Sequence, residues 1–430
     1  MLKKILFLKL KIFARLLIKK YRPVIVGITG SVGKTSAKEA TTLVLQRKLR
    51  VRTSHKNYNN EIGLPLTIIG VASPGRDFWG WLKVFARAAR LILSRDRNYP
   101  QVLVLEMGVD RPGDMAYLLS IAPAKVGVIT AVSHSHLEYF GTVVNIKKEK
   151  QALIDKLDKK GLAVLNYDNE VTRAMTSASP ARVLSYGFGE GANLRAQDIS
   201  YNYGKGDYEL SGVRFKLNYN GAIVPVIMPN VFCAPALYAA LAAAAVATYF
   251  NFNLLEIASA LKDFSLPPGR MNLLPGVKQT FIIDDSYNSS PEAALAAVNT
   301  LAAIKIDEKA DKFAVLGDML EIGHYTEEGH RLVGAKVAAS GIKYLIAVGE
   351  KARDFIRGAK EAGMEDDFIF HFDTAEEAGK FLQDRIKAGD VLLVKASQKM
   401  RLEKVVKELM AEPERAGELL VRQGQEWEGK

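Results

Sequence analysis

VIVGITGSVGKTSAKEA, residues 24–40, decides how the rest of the chain is read. Val24, Ile25, Val26 and Ile28 form a branched apolar run that predicts a buried strand. The strand feeds into the turn Gly30-Ser31-Val32-Gly33, then Lys34-Thr35-Ser36 and a helical continuation to about Leu49. Strand, glycine turn and helix start are the context in which such a motif binds phosphate. Backbone N–H groups freed by the glycines can point at phosphate oxygens, and the helix N-terminus adds partial positive charge. Lys34 would reach the terminal phosphates, and the Thr35 hydroxyl would ligate Mg²⁺. The general pattern places Gly at position 28, where this chain has Ile28. A ligand-free glycine turn is the competing reading, and Gly-Lys-Thr in this setting argues against it.

At 430 residues the chain has room for two or three domains, each with a real core. A single cysteine, Cys233, excludes an internal disulfide and a multi-cysteine zinc site and suits a reducing cytoplasm. Residues 1–22, MLKKILFLKLKIFARLLIKKYR, carry eight Lys or Arg and no acid; subtracting these from the net +12 leaves about +4 elsewhere. The positive charge is therefore local, and no nucleic-acid partner is expected.

Lys9, Lys11 and Arg15 make this first stretch too charged to span a bilayer. It also lacks the small-residue cleavage site of a secretory signal. Wound as a helix, Leu6, Leu10, Phe13 and Leu17 share one face, and Lys4, Lys11 and Arg15 the opposite one. That pattern predicts docking of residues 1–20 on an anionic membrane surface, although a helix packed on the protein's own body would look the same. Phe78 to Leu93 repeats the theme, with Trp81, Phe85, Ala88 and Ile92 on one face and Lys83, Arg87 and Arg90 on the other. Taken alone, this second segment reads as a surface helix covering a sheet.

Further along, Val51-Arg52-Thr53 is a short strand, followed by the polar loop SHKNYNNEIGLP (54–65) with Asn57, Asn59 and Asn60. QVLVLE (101–106) reads as a buried parallel strand ending in Glu106. An acid there sits at the mouth where open α/β sheets bind ligands, so Glu106 is a candidate Mg²⁺ ligand, with helix capping as the plainer role. Val126 to Thr130 is another strand, and it leads to AVSHSHLEYFG (131–141), where His134, His136 and Glu138 have the donors of a metal or catalytic site. A helix with Lys147, Lys148 and Lys150 follows, and residues 163–168 close the parallel set. Residues 183–230 alternate as antiparallel strands, with Asn220-Gly221 as a hairpin turn. SLPPGRMN (265–272) is a Pro-Gly hinge, beyond which strands and helices alternate again.

These motifs resemble the Mur ligase family. The matching stretches are TGSVGKT (29–35), NYNNEIGLP (57–65), LEMGVDRPGD (105–114), HLEYFG (136–141), PPGR (267–270), DDSYNSSP (284–291), VLGDMLEIG (315–323) and GDVLLVKAS (389–397), in family order. The resemblance implies an α/β protein with a central and a C-terminal domain, to which the residues themselves add an amino-terminal part. A basic helix (1–22) precedes a central P-loop-type parallel-sheet ATPase domain carrying a small antiparallel β region (23–266). A C-terminal Rossmann-like α/β domain (267–430) completes the chain. It implies ATP and Mg²⁺ as cofactors, and a reaction in which a carboxylate is phosphorylated and then captured by an amine. The implied substrates are D-Ala-D-Ala and a muramoyl-tripeptide precursor of the cell wall, handled in the cytoplasm or on the inner membrane face.

Carried over by position, the resemblance gives Lys34, His136 and Lys150 catalytic roles and assigns Thr35, Glu106, His136 and a carbamylated Lys150 to metal. Gly30, Ser31, Val32, Gly33, Lys34, Thr35, Ser36, Asn60, Arg270, Asp285, Tyr287 and Asn288 are assigned to the nucleotide. Two departures stand out. Only about 22 residues precede the phosphate loop, where family members usually carry a UDP-sugar-binding domain, so a lipid-linked acceptor competes with a UDP-linked one. CAPALYAALAAAA (233–245) stands where the family has His and Asn. The alternatives are a related ligase with another amine and a non-catalytic, membrane-docked nucleotide-binding scaffold.

Overall fold

The computed structural model describes residues 2–54, 58–133, 137–201, 212–424 and 427, with side chains from residue 5 onward. β1 (Val24–Thr29) runs through a nine-stranded sheet with β2 (Val51–Thr53), β3 (Val102–Glu106), β4 (Val126–Ile129) and β5 (Leu162–Asn166). β6 (Arg182–Gly187), β7 (Leu194–Tyr201), β8 (Val213–Tyr219) and β9 (Ala222–Met228) complete it, in the order β2-β3-β1-β4-β5-β6-β7-β8-β9. β1 lies between β3 and β4, parallel to both, with Val26 opposite Val104 and Val126. Chain order reverses at this point, so the loops after β1, β3 and β4 open at one edge of the sheet, the usual ligand crevice.

The antiparallel region expected over 183–230 continues the same sheet, and its first strand is parallel, not antiparallel. β6 pairs parallel with β5, and β7 joins β6 through the parallel pairs Tyr186–Leu194 and Gly187–Arg195. Only β7, β8 and β9 run antiparallel to one another. The sequence shows the change from continuous to alternating burial but not which edge the meander joins. The predicted turn does form: Tyr219 pairs with Ala222, and Asn220 and Gly221 both have positive φ, 51° and 80°. Two consecutive positive-φ residues match the twist of a two-residue hairpin.

A second, six-stranded sheet contains β10 (Asn272–Gly276), β11 (Thr280–Asp285), β12 (Lys312–Gly317), β13 (Tyr344–Val348), β14 (Ile369–Phe372) and β15 (Val391–Lys395). Its order is β10-β11-β15-β12-β13-β14, with only β10 antiparallel.

Helices cover both faces of the first sheet. On one side lie α1 (Leu2–Tyr21), α3 (Gly63–Ile69), α4 (Phe78–Leu93), α5 (Asp114–Ile121) and the helix Val143–Asp155. On the other lie α2 (Lys34–Leu45) and the alanine-rich helix Ala234–Tyr249. The small side chains of Ala239 to Ala245 let that helix lie close to α2 and the sheet.

The structure corrects the reading of α1. The face predicted for lipid packs on the protein itself: Leu10 and Leu17 are fully buried, and Leu6 and Phe13 are partly buried, in the core shared with α3, α4 and α5. Burying a leucine contributes roughly 1.5–3 kcal/mol, enough to hold this helix on the domain. A hydrophobic stripe in sequence does not say whether its partner is protein or lipid.

Candidate functional site

The loop between β1 and α2 is built around two positions that require glycine. Gly33 enters α2 with φ +84°. Gly30 has φ +152°, and a Cβ there would overlap the Thr130 hydroxyl and press on the Ala131 backbone. That hydroxyl, at the end of β4, donates to the Val32 carbonyl at 2.5 Å, and Ser31 N–H donates to Ala131 O at 2.6 Å. The neighbouring strand thus holds the loop open at the N-terminus of α2, where backbone N–H groups favour an anion.

Lys34 extends its ammonium over the loop, donating to Gly30 O at 2.7 Å and Ser31 O at 3.3 Å. Burial lowers its pKa; Glu106 and Asp110 oppose that shift, while Arg270 adds to it. Thr35 Oγ1 donates to Glu106 Oε2 at 2.8 Å, and Asn59 Nδ2 donates to Glu106 Oε1 at 3.1 Å. Glu106 is almost fully buried at the end of β3, as its strand position predicts. Both of its oxygens accept from side chains, Thr35 of α2 and Asn59 of the loop before α3.

Lys150, on the helix Val143–Asp155, is 2% exposed and reaches the same Gly30 carbonyl at 3.2 Å. Its pKa lies well below the ordinary lysine value, first because of burial and then because of the Lys34 charge. Among the described residues no carboxylate bonds this ammonium, and burial disfavours its charged form.

From the second sheet, Arg270 Nη2 donates to Thr35 Oγ1 at 2.9 Å, and its guanidinium lies 4.1 Å from the Tyr287 ring centre. Asp285 Oδ1 accepts from Met271 N–H at 3.2 Å, and Oδ2 accepts from Lys395 Nζ at 2.6 Å. Lys395 also donates to Asn288 O at 2.9 Å. Burial raises the Asp285 pKa, and Lys395 counters it. The 3₁₀ turn Gly323–Tyr325, which ends VLGDMLEIG, touches the helix Leu137–Phe140 of HLEYFG, so two distant motifs meet across the units.

Lys34, Thr35, Glu106, Lys150 and Arg270 therefore converge. Asn60 does not: its side-chain oxygen receives the N–H groups of Ile62 and Gly63 at the entry to α3. Asn59 takes the place beside Glu106, because in a run of asparagines the loop's path decides which one faces the strand end. Asp285, Tyr287 and Asn288 stand beside Arg270 and Lys395. His136 and Asn57 lie outside the described residues. Thr130 and Lys395 had no place in the sequence-derived site; Thr130 ends the strand expected over 126–130, and Lys395 ends β15. Where the family's His and Asn were missed, Tyr238 stacks on Phe188 at 4.3 Å and donates to Asp168 at 3.0 Å.

Among the described residues, no group of three or more His, Cys, Asp or Glu forms a metal cluster. A hydroxyl and a carboxylate 2.8 Å apart nonetheless fit Mg²⁺, which takes few protein oxygens and completes its shell with water and phosphate.

Residues 87–247 match the Mur ligase middle domain, and residues 269–398 match the Mur ligase, glutamate ligase domain. A UDP-N-acetylmuramoyl-tripeptide–D-alanyl-D-alanine ligase of Mycobacterium leprae is 30% identical over 396 residues, covering 88% of this chain and 72% of that protein. The chain belongs to the Mur ligase family. The ligase of the same name from Bacillus subtilis is 27% identical over 90% of this Mur ligase and 76% of its own length. Among solved structures, MurF ligase from Thermotoga maritima in complex with ADP superposes with a TM-score of 0.76 at 27% identity, covering 95% of this chain and 84% of that one. MurF from Acinetobacter baumannii gives 0.77 at 23% identity, over 93% and 79%, and shares the fold.

Proposed function

We propose that this Mur ligase joins D-alanyl-D-alanine to a muramoyl-tripeptide precursor at the expense of ATP. The observation that carries the reading is the pairing of Thr35, at the phosphate loop, with Glu106, at the end of β3, bonded from the second unit by Arg270. The relatives' names support the choice of amine and acceptor.

The loop N–H groups and Lys34 bind and orient the ATP phosphates, and Arg270 adds a cation from the opposite side. Thr35 and Glu106 would hold Mg²⁺, which when bound neutralises phosphate charge. An oxygen of the substrate carboxylate then attacks the γ-phosphorus, and the bond to the bridging oxygen breaks, releasing ADP and leaving an acyl phosphate. The amine nitrogen attacks the acyl carbon, inorganic phosphate departs, and the nitrogen loses a proton. Holding both reactants in line between the two units is the protein's main contribution. Burial lowers the Lys150 pKa and so favours the amine form, which would add to carbon dioxide and lose a proton to give a carbamate. That group would place a negative charge beside the loop.

The test is phosphate release from ATP with D-alanyl-D-alanine and a tripeptide-bearing acceptor, offered UDP-linked or lipid-linked. Release that requires both substrates is expected; none with any amine would leave a nucleotide-binding scaffold. A second reading is favoured by α1 and α4, which together carry ten Lys or Arg and no acid. In it the same ligase works while docked on an anionic membrane surface.

A further inference from the structure

Resting on that second reading, we infer that the docking face is the outward side of the α1–α4 pair, opposite the stripe predicted from sequence. With one side of α1 buried against the body, Ile5, Leu8, Ile12 and Leu16 still line its outer side, with Leu8 57% exposed. Their spacing of three or four residues makes them a second apolar stripe. On α4, Phe78, Trp79, Leu82 and Leu93 are exposed, Trp79 by 71% and Leu93 by 86%. Eight of the fourteen exposed large hydrophobic residues among the described ones thus fall on two helices.

The two helices form one surface. Phe13 and Phe85 meet at 5.7 Å between ring centres, and Lys9 lies 6.0 Å from the Phe85 ring. At the other end, Lys20 donates to the carbonyls of Leu91, Ile92 and Ser94, fixing α1 to the C-terminus of α4. Exposed Lys9, Arg15 and Lys19 on α1, and Lys83, Arg87 and Arg90 on α4, accompany the apolar stripes.

Charge selects the occupant. A second copy docking through the same face would set these six exposed cations against six, with no acid on either helix pair. An anionic lipid surface offers the complementary sign, accepts leucine and isoleucine at the acyl boundary, and suits half-wet indole rings. Attraction of about 1 kcal/mol per basic residue near such a surface adds to the apolar term. Among the described residues no helix is long and apolar enough to cross a membrane, so the pair would lie in its surface.

The test is co-sedimentation of the full chain with phosphatidylcholine vesicles, with and without phosphatidylglycerol, while following tryptophan emission. The chain should bind the anionic vesicles, release with salt, and shift its emission to the blue through Trp79. Leu8→Gln with Leu82→Gln, both on exposed positions, should weaken vesicle binding on the order of tenfold or more and leave ATP-dependent phosphate release unchanged. Arg15→Glu with Arg87→Glu should remove the preference for anionic lipid. Failure of the parent chain to bind any vesicle would end the membrane reading and this face with it. Binding unchanged in both double variants would leave the membrane reading standing and overturn this face. A dimer in solution that Leu8→Gln with Leu82→Gln dissociates would also overturn it, in favour of a second copy.

Discussion

Adding one methyl group at Gly30 tests whether the turn is a phosphate cradle. In Gly30→Ala the new Cβ overlaps Thr130 Oγ1 and comes within 3.1 Å of the backbone N and O of Ala131. The hydroxyl must leave, and with it go its bonds to Val32 O and Thr29 O. The hydroxyl has one proton, divided between these two acceptors, so the loss is about 1 kcal/mol in all. A side chain held at positive φ costs roughly 1–2 kcal/mol more. If the loop relaxes out of shape to avoid this cost of about 2–3 kcal/mol, ATP must restore it on binding, and affinity falls roughly thirtyfold to a hundred-and-fiftyfold. Calorimetric titration with ATP reads this directly, with thermal melting to confirm that the protein is folded. Thr130→Ala alone should cost about 1 kcal/mol, and adding it to Gly30→Ala should cost almost nothing further, because the same bond is already gone. Affinity of Gly30→Ala within about threefold of the parent, or full additivity of the pair, would refute the argument.

Three other outcomes follow from the same geometry. Glu106→Gln keeps the shape of its bonds to Thr35 and Asn59 but loses a charge, so the Mg²⁺ needed for half-maximal ATP turnover should rise about tenfold or more; an unchanged metal titration would remove Glu106 from the metal site. Arg270→Lys keeps the charge but loses the planar stack on Tyr287 and the fixed donor to Thr35, a loss of about 1–3 kcal/mol that should lower kcat roughly tenfold to a hundredfold. Burial raises the Asp284 pKa to about 6, above the unfolded value of 3.8, so the folded state binds more protons between those values and stability falls as pH rises through the window. Asp284→Asn should therefore be more stable than the parent at pH 7, by about 3 kcal/mol, with the gap closing by about pH 4; urea unfolding across that range is the check.

Much of this was legible in the chain. The strand, glycine turn and helix at 24–40 announced themselves because each residue type meets a local demand: branched side chains for a buried strand, glycines for positive φ, a cation and a hydroxyl for phosphate and metal. Glu106 was legible because its strand ends there. Asn59 was not separable from Asn60, since a loop's path depends on contacts made far away in sequence. Lys150 shows the same limit from another side: among Lys147, Lys148 and Lys150, spacing predicts three solvated amines. Only the packing of its helix on the sheet shows that one of them is enclosed. The apolar stripe of α1 was read correctly as a stripe and assigned to the wrong neighbour.

The bond between Arg270 and Thr35 has a consequence for timing. Arg270 ends the Pro-Gly turn that leads into the second sheet, so any rotation that parts the two units withdraws a guanidinium from the phosphate loop. Geometry and electrostatic potential are therefore tied together at this residue. On the proposed function, a triphosphate would draw the arginine in and favour the arrangement seen here, whereas a diphosphate, with less negative charge, would hold it less firmly. Spent nucleotide would thus loosen the very contact that its precursor tightened, and turnover would carry its own signal to reopen.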